Sequence, residues 1–172
     1  MSEARPSGRS IVNSDHFNSN VALPDGRASD TMIEIVNRQR TRKINAKQWR
    51  EFAAQVIQAM GIDKQDATIV FVSDATIKKL NQRFRSKDYP TDVLSFPVRA
   101  ASFEAENKSN LGDVVISVER AAVQAKAAGH NFADEVKQLI LHGLLHLCGY
   151  DHETDGGKMN RLELRLRRRL GI

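Results

Sequence analysis

The segment 133–147 carries leucine, isoleucine and valine at positions that point in nearly every direction around a helix. A helix that is apolar on all sides is stable only when other elements cover it. Gly149 follows the segment, and a glycine at that place ends a helix and lets the chain reverse. The segment therefore predicts a buried central helix, around which the rest of the chain must pack in layers.

Strands and helices arrive in mixed order along the chain. Short β-prone runs predict four strands, and segments with an apolar stripe predict further helices. The predicted strands are 32–36, 67–72, 92–96 and 112–118, and the predicted helices are 46–60, about 74–84, 119–128, 133–147 and 158–170. Pro97 cannot donate a ladder hydrogen bond, so the third strand should lie at a sheet edge or end there. The mixed order of strands and helices along the chain predicts an α+β fold, with a small four-stranded mixed sheet and about five helices packed against it.

Length and composition leave room for one domain. The chain has 172 residues, of which 41% are hydrophobic. Residues 1–30 are polar and show no hydrophobic period, so they are predicted to be a disordered tail that precedes a single domain at 31–172. No apolar run is long enough to cross a membrane, and no secretory signal is recognisable. The single cysteine, Cys148, excludes an internal disulfide and favours a cytoplasmic location.

Three of the five histidines lie within eleven residues, in the sequence HGLLHLCGYDH. His142 and His146 are four residues apart, a spacing that puts both side chains on one face of a helix. Gly149 lets the chain turn back, which brings His152 towards them. Three imidazoles with no fourth protein ligand are typical of catalytic zinc sites, which keep one position for water. The spacing predicts one divalent ion, best assigned as zinc, that activates a water; nickel or copper would suit the same ligands.

The same spacing, H-x-x-x-H-x-x-G-x-x-H, matches the metzincin metalloproteases in every histidine and in the glycine. Metzincins place a glutamate directly after the first histidine as the general base, whereas this chain has Gly143 there. Asp151 and Glu153 are nearby carboxylates, but neither occupies the position of a metzincin base. Peptide hydrolysis is therefore a weaker interpretation of the site.

Other polar residues near the histidines have less certain roles in the pattern. A metal-bound imidazole usually donates its second ring N–H to an acceptor. Asp113 and Asp151 are the candidates for that role, although surface solvation would explain either carboxylate. Cys148 is interpreted as a small buried residue rather than a ligand, because it points to another side of the helix end. His130 follows a predicted helix stop and is interpreted as structural.

A basic segment precedes the third strand, within a chain whose formal net charge is +5. It holds Arg83, Arg85 and Lys87 beside a Tyr89-Pro90 turn. Guanidinium groups bind phosphate oxygens in bidentate fashion, so Arg85 and Lys87 are candidates for binding a polyanionic substrate. Basic residues that compensate a helix dipole are the alternative, and composition alone favours that alternative.

Three segments together resemble the bacterial YbeY endoribonucleases, the rRNA maturation factor family. They are HGLLHLCGYDH at 142–152, the run that begins LN at 80–81 and ends TDVLSFP at 91–97, and LGDVVIS at 111–117. The resemblance spans roughly 31–170. It implies a zinc-dependent, single-strand-specific endoribonuclease of 16S rRNA 3′-end maturation and small-subunit quality control. Its partners would be single-stranded RNA, rRNA and the small ribosomal subunit.

The resemblance also implies a fold and roles for individual residues. The family fold is a small α+β domain related to the zincins, with the histidine helix under the cleft. His142, His146 and His152 would be the metal ligands, and His142 would also be catalytic. Arg85 follows the aromatic residue of the pattern L-N-x-x-aromatic-R, and this position implies a cleft arginine that stabilises charge on the phosphate.

Two other classes of function stay open at this point. The metzincin-like spacing suggests a metallopeptidase. A ribosome assembly factor that binds RNA and uses its metal only for structure is the other alternative, and the open fourth metal position argues weakly against it.

Overall fold

The computed structural model describes residues 31–98 and 109–172. Within these two segments, four strands and five helices follow one another, and no bound differs from the predicted one by more than two residues. They are β1 (Ile33–Asn37), α1 (Ala46–Ala59), β2 (Asp66–Val72), α2 (Asp74–Arg85), β3 (Val93–Pro97), β4 (Asn110–Ser117), α3 (Val118–Ala128), α4 (Phe132–Leu147) and α5 (Lys158–Leu170). The α+β prediction is confirmed. The predicted tail at 1–30 and most of the loop predicted between β3 and β4 lie outside the described residues.

The four strands form one mixed sheet in the order β1-β2-β4-β3. β1, β2 and β4 are parallel, while β3 pairs with β4 in the antiparallel direction and forms an edge of the sheet. Pro97 closes β3 opposite Gly112. A strand that ends in proline was expected at an edge, because an interior strand would lose a ladder hydrogen bond there.

The two faces of the sheet are covered by different helices. One face carries the main core, in which Ile69, Val114 and Ile116 pack with α1, α4 and α5. The other face carries a smaller cluster, in which Val115 and Leu94 pack with α2. Successive residues of a strand point to opposite faces, which explains why the neighbours Val114 and Val115 belong to different clusters.

Helix α4 lies at the centre of the main core. It contacts α1, α3, α5, β3 and β4, and nine of its sixteen residues are buried. The prediction of a central buried helix is confirmed. In the part of the chain that the structure describes, no helix combines the length and apolar character needed to cross a membrane.

Gly143 lets α4 pack against the sheet at unusually short range. A Cβ atom at this position would lie 2.4 Å from Cγ1 of Val114, well inside van der Waals contact. The carbonyl of Gly143 also accepts a hydrogen bond of 3.1 Å from the Ser95 hydroxyl on β3. Because Gly143 has no side chain, α4 can lie this close to β3 and β4.

We expect Gly143→Ala to lower the free energy of unfolding by about 1–3 kcal/mol, the usual cost of overpacking a core. The direction of this change is informative, because alanine in a helix interior is otherwise about 1 kcal/mol more favourable than glycine. Urea unfolding followed by circular dichroism measures the change. In a Val114→Ala background the same substitution should cost less, because the clashing methyl groups are gone. A Gly143→Ala protein as stable as the wild type would contradict the tight contact.

Candidate metal centre and cleft

The three clustered histidines lie together at the end of α4. His142 and His146 are one turn apart on the helix, and His152 is in the loop that follows it. The ring centroids are 4.7, 5.6 and 5.4 Å apart. One nitrogen from each ring lies within 4.8 Å of the other two. The structure therefore brings together the three residues that the spacing selected.

The turn at Gly149 does two things for this cluster. Gly149 has a φ of +86°, and its N–H donates to the His146 carbonyl at 3.0 Å. This left-handed conformation, which favours glycine, reverses the chain and returns His152 towards the helix. It also directs the Tyr150 carbonyl oxygen to Nδ1 of His146, 2.9 Å away.

The contacts of the Nδ1 atoms determine which ring nitrogens carry lone pairs. A carbonyl oxygen can only accept, so Nδ1 of His146 must donate to Tyr150. Nδ1 of His142 lies 3.3 Å from Oε2 of Glu163 and donates to that carboxylate. In the neutral rings both Nε2 atoms then carry lone pairs, although they face each other at only 3.1 Å. Two facing acceptors at this distance fit a shared cation, so the donor set suits a divalent metal.

Electrostatics favour the form of His146 that can bind a metal. Burial lowers the pKa of His146, and the neighbouring imidazole of His142 lowers it further. His146 therefore favours the neutral form. Burial alone would raise the pKa of Glu163, but hydrogen bonds with His142 and Arg167 outweigh burial and hold that pKa below its usual value. A carboxylate thus stays ionised behind the His142 ring.

Glu163 and the Tyr150 carbonyl are the acceptors next to the Nδ1 atoms of His142 and His146. The sequence had suggested Asp113 and Asp151 for this role. Asp113 is exposed on β4, on the sheet face opposite α4, because its neighbour Val114 points towards Gly143. Asp151 accepts hydrogen bonds from the Glu153 N–H and the Thr154 hydroxyl, and so stabilises its own turn. The first of these bonds is the main reason that the pKa of Asp151 is lowered.

Glu163 is the functional residue that the sequence reasoning missed. It is 8% exposed on α5, and the guanidinium of Arg167 one turn further on pairs with it. Arg167 also donates to the Gln138 side chain of α4 at 2.6 Å. Met159, Leu162 and Leu166 are the buried apolar residues of the same helix face. A glutamate on an apolar stripe requires a buried partner, and that signal was available in the sequence.

Two other candidates lie apart from the histidine cluster. Burial raises the pKa of the Cys148 thiol to about 11, so it stays protonated at neutral pH, unlike a metal-binding thiolate. His130 pairs through Nε2 with Glu135, 2.5 Å away, at the start of α4. His130 therefore resembles His142 in having a buried carboxylate partner, but it is not one of the three grouped histidines.

A cleft of about 290 Å³ opens beside the cluster and contains Arg85. Arg85 is the last residue of α2, which covers the opposite face of the sheet. Its side chain therefore reaches the cleft around the edge strand β3. Lys87 is exposed in the loop beyond, where its N–H donates to the Asn81 carbonyl at 3.3 Å. The cleft is lined by Arg85, Ser95, Pro97, His146, Gly149, Tyr150, Asp151, His152 and Glu153.

We expect Glu163→Gln to weaken divalent metal binding by about 10–100-fold, the usual effect of removing an acceptor behind a ligating imidazole. The amide keeps the size of the side chain but removes its negative charge. Competition against a chromogenic chelator measures the affinity. Glu135→Gln is the matched control, because Glu135 is equally buried and pairs with a histidine outside the cluster. Equal losses in both variants would contradict a specific role for Glu163.

Comparison with known proteins gives a consistent result. The family model described as "Endoribonuclease YbeY" matches residues 34–171. A protein of that name from Aquifex aeolicus is 39% identical over 130 residues, which cover 76% of this chain and 83% of the relative. The protein of that name from Geobacter metallireducens is 37% identical over 136 residues, 78% of this chain and 91% of the relative.

A solved structure agrees in fold. The solution structure of TM1509 from Thermotoga maritima superposes with a TM-score of 0.55 at 26% sequence identity. The match covers 81% of this chain and 89% of that one.

Proposed function

The chain belongs to the YbeY endoribonuclease family and is a hydrolase that acts on RNA, and from that premise we propose that it cleaves single-stranded RNA in the cleft beside His146 and Arg85. The observation that carries the proposal is that the Arg85 guanidinium lines the same cleft as two of the three clustered imidazoles, those of His146 and His152. A cation and a guanidinium are the two groups best suited to a phosphodiester that gains negative charge as it reacts.

His142, His146 and His152 would hold the metal, which we propose to be one zinc ion. When bound, such an ion acts as a Lewis acid and makes a nucleophile of water at neutral pH. Tyr150 and Glu163 orient two of the rings through their Nδ1 atoms. We assign His142 a catalytic role as well as a ligand role.

Arg85 would bind the non-bridging oxygens of the scissile phosphate. Its planar guanidinium matches two phosphate oxygens at once, and it lines the same cleft as His146 and His152. Lys87 lies in the exposed loop next to Arg85 and would contact a neighbouring phosphate. The two residues together would hold the RNA backbone against the edge of β3.

A metzincin-type peptidase is disfavoured by the packing of α4. The metzincin base would occupy position 143, where even a Cβ atom collides with Val114. A glutamate there would require the helix to move away from the sheet. The missing carboxylate is therefore enforced by the fold.

We further propose a cytoplasmic role in maturation of the 16S rRNA 3′ end and in quality control of the small ribosomal subunit. Family membership supports this assignment. The basic surface, which includes the segments 38–43 and 161–169, would attract an RNA backbone over long range.

The decisive experiment compares metal content with cleavage. Protein purified without a histidine tag is analysed for bound metal and incubated with a single-stranded RNA oligomer and with the matching duplex. We expect about one zinc ion per chain, cleavage of the single strand only, loss of activity after chelation and recovery when zinc is restored. Cleavage that persists after complete metal removal would refute the metal-dependent mechanism.

A further inference from the structure

The geometry points to a base-stacking surface outside the cleft, formed by Phe84 and Tyr89, that binds unpaired RNA bases next to the phosphate held by Arg85. This inference rests on the proposed function and extends it to how the protein selects single strands. We call these two aromatic residues the stacking pair.

The stacking pair is unusual in its exposure. Phe84 is 56% exposed and Tyr89 is 54% exposed. Every other aromatic residue that the structure describes is buried or half-buried. Two exposed aromatic rings within six residues are costly to leave in water, which favours a role in binding. The other described aromatic residues are Trp49, Phe52, Phe71, Phe96, Phe132 and Tyr150.

The Phe84 ring is held in place without being covered. It contacts the Phe96 ring of β3 edge-on, with centroids 5.1 Å apart and an interplanar angle of 72°. Phe96 therefore restrains the orientation of the ring, while more than half of Phe84 stays accessible. The Arg83 guanidinium lies 5.3 Å from the Phe84 centroid. An aromatic ring with a neighbouring cation is a favourable platform for a nucleobase.

The loop that carries Tyr89 is fixed by a buried side chain. Asn81, which is 2% exposed, donates from Nδ2 to the Tyr89 carbonyl at 2.8 Å. The backbone carbonyl of Asn81 accepts a hydrogen bond from the Lys87 N–H at 3.3 Å. Ser86 ends α2 in a left-handed conformation with a φ of +57°. These restraints tie the backbone at Tyr89 to α2, so the loop that carries this ring is held near Phe84.

Charge around the stacking pair matches a nucleic-acid backbone. Arg83, Arg85 and Lys87 are exposed in the same segment, and the acidic side chain of Asp88 is paired with Lys78 at 3.4 Å. Alternating cations and aromatic rings are typical of surfaces that bind single strands, with phosphates on the cations and bases on the rings.

The position of Arg85 connects this surface to the cleft. Arg85 lines the cleft and directly follows Phe84, which packs on Phe96 of the edge strand β3. A strand whose phosphate lies in the cleft and that continues around the edge of β3 would therefore pass Phe84. A base in a duplex is already stacked between its neighbours and cannot stack on Phe84 as well. The stacking pair thus explains a preference for single strands without any contact to a base edge.

Binding by metal-loaded protein tests the inference. The probe is a fluorescent single-stranded RNA oligomer with phosphorothioate linkages that slow cleavage, compared by anisotropy with the same oligomer carrying abasic residues at its centre. We expect the wild type to bind the intact oligomer at least fivefold more tightly. Phe84→Leu and Tyr89→Leu should weaken binding of the intact oligomer and should lose most of the preference for bases. Val123→Ala, which alters a side chain that is 60% exposed on α3, is the control and should behave as the wild type.

The outcomes separate this inference from the proposed function. Cleavage of unmodified RNA by the wild type is measured in parallel and tests the proposed function alone. A wild type that cleaves RNA but binds intact and abasic oligomers equally would overturn the stacking pair and leave the proposed function standing. Phe84→Leu and Tyr89→Leu proteins that keep the full preference for bases would overturn it as well. A wild type that prefers bases through the stacking pair but never cleaves RNA would overturn the proposed function instead.

Discussion

Replacement of His146 with alanine is expected to abolish stoichiometric metal binding and to lower the rate of RNA cleavage by at least about 1,000-fold. His146 presents one of two Nε2 atoms that face each other at 3.1 Å, so its loss leaves only two imidazoles for the ion. A catalytic metal contributes several kcal/mol to a hydrolytic barrier, and each factor of ten in rate corresponds to about 1.36 kcal/mol. Metal content by mass spectrometry and the cleavage rate constant measure the two effects.

The matched control for His146→Ala is His130→Gln. His130 is half-buried like His146 but lies outside the cluster. A glutamine at this position can still form a hydrogen bond with Glu135, the partner of His130. This variant should keep its metal and its activity. Both proteins should retain the wild-type circular dichroism spectrum. Full metal occupancy or wild-type cleavage in His146→Ala would contradict the proposed centre.

Replacement of Arg85 with glutamine is expected to lower kcat for RNA cleavage by about 100–1,000-fold, the usual cost of losing one group that stabilises transition-state charge. Arg85 lines the same cleft as His146 and His152. Its charge should act mainly as negative charge develops at phosphorus, so kcat should fall more than KM rises. Steady-state cleavage of a short oligomer, with metal content measured alongside, separates this effect from loss of the ion.

Arg83→Gln removes the same charge from the same helix and is the control for Arg85→Gln. The Arg83 guanidinium lies near the Phe84 ring rather than in the cleft. The kcat of Arg83→Gln should stay within about threefold of the wild type, whereas its KM should rise because Arg83 lies beside the stacking pair. Arg85→Lys should recover only part of the activity, because an ammonium cannot bind two phosphate oxygens in the fork geometry of a guanidinium. Equal kcat losses for Arg83→Gln and Arg85→Gln would show that only net charge matters.

The elements of the fold were predictable because their signals are local. Asn45 and Ser73 are of residue types that favour the position before a helix, and each accepts the hydrogen bond that begins its helix. The histidine spacing specified a shared helix face, and Gly149 specified the reversal that follows. Membership of the family followed from the same eleven-residue motif and was confirmed.

The supporting contacts of the histidines were harder to predict because they are not local or not side chains. Tyr150 contributes a backbone carbonyl, which residue type does not reveal. Glu163, which contacts His142, lies on α5 and is 21 residues further along the chain. Its partner Arg167 lies in a run of basic residues, and the charge of that run does not reveal which member is paired inside the protein. Glu163 and Arg167 are less exposed than the other charged residues of α5, because they lie beside its apolar stripe. Their charge alone does not distinguish them.

The path of Arg85 around the edge of β3 has a consequence for the integrity of the site. The three metal ligands come from one short stretch, so a single helical turn and its reversal suffice to gather them. The arginine joins them only when α2 and α4 have docked on opposite faces of the completed sheet. Loss of packing on either face of the sheet should therefore separate the guanidinium from the imidazoles, even where the imidazoles themselves stay together.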